Sequence, residues 1–199
     1  MGEMSFEDFR SSLDALNNEY NHPPRKTWMH FEGRIPDTTL KCINSVRGNP
    51  DITISVEIEK PKREGLQELA KEADVVFYSK SWAVSQGYTS AEDCLMSQAK
   101  LLPRPSHLFC TWGGGGAAAL DTSSNQSVIL PAWLPENARV VDTIGAGDTF
   151  IAGILYGFLQ HERNWDLRRK LAFAMRLAGH KVAQEGLTGL GRFVPGFEP

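Results

Sequence analysis

Along the 199-residue chain the spacing of apolar positions switches repeatedly between the 3.6-residue period of a core-facing helix and the short β-branched or aromatic runs of a buried strand. Ser5 and Asp8 form a capping-box-like start, and Phe6, Phe9, Leu13 and Leu16 follow as one stripe, which predicts a helix to about Tyr20. His22-Pro23-Pro24-Arg25 breaks it. Thr27 to Phe31 is short, aromatic and bounded by Gly33, as a buried strand is. Ile35 to Val46 suits a helix stopped by Gly48-Asn49-Pro50, Ile52 to Ile58 is β-branched at nearly every second position, and Pro61 to Ala73 is Lys/Glu-rich and helical in composition. Val75 to Tyr78 is the next strand. Thr89-Ser90 caps a helix in which Asp93 completes a second box and which ends before Pro103 and Pro105; His107 to Thr111 is again strand-like. This alternation is the sequence form of βαβ units in a mostly parallel sheet, with binding sites expected at the carboxyl ends of the strands.

The second half keeps the pattern and adds Gly113 to Gly116 directly after a strand, where backbone must come close to something. Val128 to Ala132 and Arg139 to Val141 are short extended runs around a Pro-rich connection. A helix beginning near Asp148 carries Phe150, Ile151, Ile154, Leu155, Phe158 and Leu159 on one face. A last helix, capped by Asp166, spaces Leu167, Leu171, Ala174, Leu177, Ala178 and Val182 along another. No repeat, low-complexity tract or linker marks a boundary, so one domain, at most two small ones, is expected.

Composition narrows the function classes. With 41% hydrophobic and 23% charged residues the chain can build a core without disulfide or metal staples. A net charge of -3 gives no footprint for nucleic acid or an anionic membrane. The three cysteines, Cys42, Cys94 and Cys110, are far apart and lie in no metal-ligand spacing, which suits reduced thiols in a cytoplasmic protein. The longest apolar stretch, Phe150 to Leu159, is about half of a bilayer span, and MGEMSFEDFR does not read as a signal peptide. His30 and His180 read as structural, Trp28, Trp82 and Trp133 as core or loop anchors, and Arg168-Arg169-Lys170 as a solvated helix face.

The candidate chemistry sits in Asp142-Thr143-Ile144-Gly145-Ala146-Gly147-Asp148. Between a strand and a helix, such a turn presents free backbone N–H groups at a helix N-terminus, where donors and helix dipole together favour phosphate. Asp148 would repel phosphate, but it can take a proton from a hydroxyl attacking one, which is the work of a general base. The plainer alternative is an Asp N-cap behind a glycine turn.

Asp142 to Leu155, read as Asp142-Thr143-Ile144-Gly145-Ala146-Gly147-Asp148-Thr149-Phe150-Ile151-Ala152-Gly153-Ile154-Leu155, resembles the C-terminal signature of the ribokinase/PfkB carbohydrate kinases at every constrained position. Trp28 to Arg34, Ser55 to Pro61 and Val75 to Lys80 are similar to segments of its ketohexokinase-like branch, so the resemblance runs over nearly the whole chain. It implies a ribokinase-like three-layer α/β fold with a mostly parallel sheet. It also implies that Asp148 is the catalytic base, with Gly145, Ala146 and Gly147 as the anion hole for the transferred phosphoryl group. Nucleotide contacts fall on Lys80, Gly114, Gly116, Thr143 and Gly186. The family's Asn-x-x-Glu motif reads Lys80-Ser81-Trp82-Ala83 here, which removes an acidic residue. Mg²⁺ would then be held by phosphates and water, with Glu57 or Glu59 further out. Gly186-Leu187-Thr188-Gly189 resembles the loop that closes over adenine and can help hold a monovalent cation such as K⁺.

The same resemblance assigns residues 1–199 to the C-terminal, nucleotide-binding and catalytic portion of such a kinase. The first strands, the sugar-binding Gly-Gly-Asn segment and the β lid have no counterpart in these residues. An unpaired sheet edge is therefore expected, to be met by a second copy or a complementing N-terminal half. The expected function is transfer of the ATP γ-phosphoryl group to a hydroxyl of fructose or a related sugar. The alternative is a non-catalytic nucleotide-binding or interaction remnant of the family.

Overall fold

The computed structural model describes residues 3–19 and 26–193. Six strands form one sheet in sequence order: β1 (Thr27–Glu32), β2 (Ile52–Ile58), β3 (Val75–Tyr78), β4 (His107–Thr111), β5 (Ala117–Asp121) and β6 (Gln126–Leu130). β1 to β4 pair in parallel, and β5 and β6 return antiparallel. β1 lies at one edge with no strand beyond it among the described residues. Parallel neighbours require crossovers, here α2 (Pro36–Val46), α3 (Leu66–Glu72), and the pair α4 (Lys80–Ser85) and α5 (Ala91–Leu101). Sequential strand order with right-handed crossovers places these helices on one face, joined there by α1 (Phe6–Glu19). The other face is covered by α6 (Ala146–His161) and α7 (Leu167–Val182).

The two-residue period of the strands divides the core cleanly. Val76, Tyr78, Leu108 and Cys110 face the crossover helices together with Ile54, Val56 and Ile58. Val75, Phe77 and Phe109 face α6 and α7, whose Phe150, Ile154 and Leu171 complete that layer. Phe109 is fully buried and stacks on Phe77 with centroids 5.2 Å apart. Burial of such a side chain contributes about 1.5–3 kcal/mol. At Gly153 of α6 a Cβ would fall 2.7 Å from Ala174 Cα of α7, so this glycine sets how closely the two helices pack.

Helix signals were legible at several ends. Ser90 accepts from the Asp93 N–H at 3.0 Å while Asp93 reaches back to the Thr89 N–H, and Asp166 accepts from the Arg169 N–H at 2.7 Å. The first helix runs from Phe6 to Glu19, as its apolar stripe predicted, and the breaker His22-Pro23-Pro24-Arg25 lies outside the described residues. Other expectations need correction. α3 occupies only part of Pro61–Ala73, because Gly65 at φ +82° precedes it. β5 and α4 were not anticipated, since Ala117-Ala118-Ala119 carries no β-branched signal and Lys80 to Ser85 is too short for a clear period. The extended run at Val128 to Ala132 is a strand two residues earlier, and Arg139 to Val141 forms none. Lys170 is not solvated: it is 5% exposed, folded over Phe158, and its ammonium binds the Trp165 and Glu162 carbonyls below α6.

Candidate functional site

The carboxyl ends of the strands meet the start of α6. Gly145 is its N-cap residue at φ +77°, a backbone shape that suits glycine, and α6 then begins at Ala146. Asp148 is therefore the third helical residue and not the cap, which removes the plainer reading of that aspartate. The Thr149 N–H and hydroxyl both bond the Gly145 carbonyl, closing the first turn. The Ala146 N–H donates to the Thr143 carbonyl at 3.2 Å. Those of Gly145, Gly147 and Asp148 have no hydrogen-bond partner among the described residues. Of the three amides expected to form an anion hole, the two glycine N–H groups are the unengaged ones. Both lie in the positive field of a 16-residue helix.

Beside this turn is a cavity of about 310 Å³, lined by Gly114 and Gly116, by Thr143, Ala146 and Gly147, and walled by Trp133. The remaining walls are almost wholly apolar, as suits a flat aromatic group lying next to an anion. Gly116, at φ +98°, lets the backbone turn from the Gly113–Gly115 helical turn into β5 against Leu130 and Pro131. A smaller cleft of about 20 Å³ opens on the other side of Gly147, lined by Glu57, Ser79 and Thr111.

Glu57 is the one carboxylate among the lining residues of that cleft. Burial pushes the Glu57 carboxyl up to about 7, and the charges of Glu59, Asp148 and Glu32 push the same way while Lys60 offsets them. Burial pushes the His30 imidazole below its ordinary value, against the opposing pull of Glu32 and Asp148. The Trp28 indole donates to Ser55 Oγ at 2.8 Å, and Ser55 Oγ lies 2.8 Å from His30 Nδ1. Ser55 Oγ thus joins the Trp28 indole and the His30 ring in one part-buried network. This network gives His30 a structural role, as its sequence context suggested.

The expected residues divide as follows. Asp148, Gly145, Ala146, Gly147, Thr143, Gly114 and Gly116 come together around the turn and the larger cavity. Lys80 begins α4 outside both cavities, with its ammonium 5.6 Å above the Trp112 ring that leads into the glycine turn. Gly186, at φ +65°, lines neither; its carbonyl accepts from Gln184 Nε2 at 3.5 Å. Trp82 is core, whereas Trp133 is a cavity wall packed on His180. The residue that sequence reasoning missed is Lys181, 1% exposed, whose ammonium lies 2.6 Å from Asp142 Oδ2 and 3.2 Å from the Asp142 carbonyl. Its signal was a lysine three positions after Ala178 and seven after Ala174, inside an apolar stripe.

No group of three or more His, Cys, Asp or Glu side chains able to hold a metal ion occurs among the described residues. Among the described residues there is thus no closed protein cage for a metal, and Glu57 and Asp148 stand as separate carboxylates near the glycine turn. Asp142 Oδ2 and the Asp142 and Gln184 carbonyls converge on Lys181 Nζ. No helix among the described residues is long and apolar enough to cross a membrane.

Fold and site together define a three-layer α/β protein with a glycine-rich turn at a helix start beside an apolar cavity. The sequence pattern of the pfkB family carbohydrate kinases matches residues 27–190, and the chain belongs to that family. It is 32% identical to ketohexokinase of Mus musculus over 173 residues, which cover 83% of this chain and 56% of that protein. Its fold is similar to that of ribokinase from Giardia lamblia, with a TM-score of 0.71 at 16% identity over 94% of this chain and 60% of the other. A Vibrio cholerae fructokinase variant with fructose, ADP and potassium ion bound is also similar, with a TM-score of 0.61 at 22% identity over 87% and 62% of the two chains. The chain thus spans little more than half the length of these proteins.

Proposed function

We propose that residues 1–199 are the nucleotide-binding and catalytic portion of an ATP-dependent carbohydrate kinase of ketohexokinase type, acting on fructose or a related sugar. The observation that carries this reading is the meeting of Asp148, the unengaged Gly145 and Gly147 amides and the apolar cavity at one helix start. The cavity would take the adenosine and the amides the transferred phosphoryl group. The carboxylate of Asp148 would accept the proton of the attacking sugar hydroxyl as the new sugar O–P bond forms and the bond to ADP breaks. A positioned base of this kind is worth about 10²- to 10⁴-fold in rate, with the oriented amides and dipole supplying further stabilisation of the transferred group. Lys80, outside the cavity with its ammonium over the Trp112 ring, would have to move inward to meet the phosphates. Mg²⁺ would be held by those phosphates and water, with Glu57 as the protein carboxylate facing it, and would neutralise phosphate charge when bound.

The test is ADP release by the purified chain with MgATP, K⁺ and fructose, run beside Asp148→Asn. Fructose-dependent release that vanishes in the variant supports the kinase. Nucleotide binding with no release, even with a complementing sugar-binding half supplied, favours the non-catalytic alternative. Near-normal release from Asp148→Asn removes the general-base role.

A further inference from the structure

A buried lysine is an expensive choice for a core position. Removing an ammonium from water costs several kcal/mol, and an apolar residue of similar volume often serves stability as well or better. Lys181 sits in the last turn of α7 on its apolar stripe and is 1% exposed. All three of its donor positions are used, by Asp142 Oδ2 at 2.6 Å, the Asp142 carbonyl at 3.2 Å and the Gln184 carbonyl at 3.5 Å. What those bonds hold explains the choice. Asp142 Oδ1 accepts from the Ile144 N–H at 2.9 Å, one residue before the Gly145 turn. The Val141 and Asp142 N–H groups both bond the Val182 carbonyl, so backbone and side chain pin the same point to the end of α7. A Cβ built on Gly145 would lie 3.9 Å from both Lys181 Cε and Asp148 Oδ2, which puts the lysine stem directly behind the turn. Gln184 in its turn donates to the Thr188 carbonyl at 3.1 Å, so the same ammonium also ties down the segment after α7.

We infer that Lys181 is the positioning residue of the phosphate turn: its ammonium, acting through Asp142 and Ile144, orients the Gly145 and Gly147 amides and couples them to the 183–189 segment. This rests on the proposed nucleotide site, since it names what the oriented amides are for. Lys181 touches neither nucleotide nor sugar; it acts through Asp142. The Asp142 side chain is 26% exposed, so loss of its partner leaves a carboxylate that water can reach, and the fold should survive Lys181→Met.

The experiment compares ADP and adenosine affinity by calorimetry and amide hydrogen exchange of Ile144 to Gly147, in the wild type and in Lys181→Met. A phosphate-orienting role predicts that ADP affinity falls by about tenfold or more, as expected for loss of aligned bonds to a charged group. Adenosine affinity should hold within about twofold. The Ile144 amide should exchange faster while the sheet amides do not. Lys181→Arg should recover part of the ADP affinity, and ethylammonium should do so for Lys181→Ala. If Lys181→Met does not fold, Lys181→Gln, which keeps donors without charge, is read in the same way. Equal loss of ADP and adenosine affinity, or unchanged ADP affinity with unchanged Ile144 exchange, overturns the inference. A wild type that binds neither ligand sinks the proposed function instead, and the Ile144 exchange alone then decides the role of Lys181.

Discussion

Gly116→Ala should be among the most damaging single-methyl additions to this chain. Gly116 has φ +98° and ψ -143°, a region that is nearly glycine-only, and entry of another residue costs about 1–3 kcal/mol in backbone strain alone. The added Cβ would also lie 2.0 Å from the Leu130 carbonyl oxygen and 2.8 Å from Pro131 backbone atoms. Neither is a side chain that can swing away, so β6 would have to move off β5. The residue cannot relax in the other direction, because the Trp112 N–H bonds its carbonyl at 2.7 Å and its own N–H bonds the Gly113 carbonyl at 2.9 Å. Strain and displacement together come to about 3–5 kcal/mol, which for a chain of this size lowers Tm by roughly 6–20 °C. Gly114 is the internal control: it lies two residues away, has no positive φ and has nothing within 4 Å of a built Cβ. Urea and thermal unfolding followed by circular dichroism would measure both variants. Gly114→Ala should stay within about 0.5 kcal/mol of the wild type. A Gly116→Ala protein with an unfolding midpoint matching that of Gly114→Ala would refute the reasoning.

Other outcomes follow from the same site and core. Asp148→Asn should leave ADP affinity unchanged or raise it, because a negative charge beside the phosphate turn is removed; a clear loss by calorimetry would count against its place there. Glu57 has its carboxyl raised from 4.5 to about 7 in the fold, so ionisation is resisted there and stability falls as pH rises through that window. Glu57→Gln should therefore be more stable than the wild type by about 1–3 kcal/mol at pH 8 and lose that advantage at pH 4, as read by urea titration at the two values. Cys42, Cys94 and Cys110 are each 1% exposed or less, and burial pushes the Cys42 thiol up, as does the Cys110 contact with burial for Cys94. Native protein should thus show no reaction with Ellman's reagent at pH 8 over minutes, and full reaction in denaturant.

Much of this protein was determined by the sequence alone, wherever the signal is local. The strand and helix alternation, the Ser90 and Asp166 caps and the run from Asp142 to Asp148 each depend on residues a few positions apart, and backbone sterics and hydrogen bonding act at that range. Family membership was legible for the same reason, since the signature is one contiguous turn and helix start. Tertiary structure decided what depends on distant neighbours. Ala117 to Asp121 becomes a strand because β4 offers it an antiparallel partner, not because alanine favours extended backbone. Lys170 and Lys181 look like surface charge in sequence, yet one caps carbonyls beneath α6 and the other reaches Asp142, 39 positions away. Of the expected nucleotide contacts, Lys80 and Gly186 stand apart from the cavity that Gly114, Gly116 and Thr143 line. Spacing along a chain records which face a side chain takes; only the packed sheet and helices decide which charges share a face and which amides are left unengaged at α6.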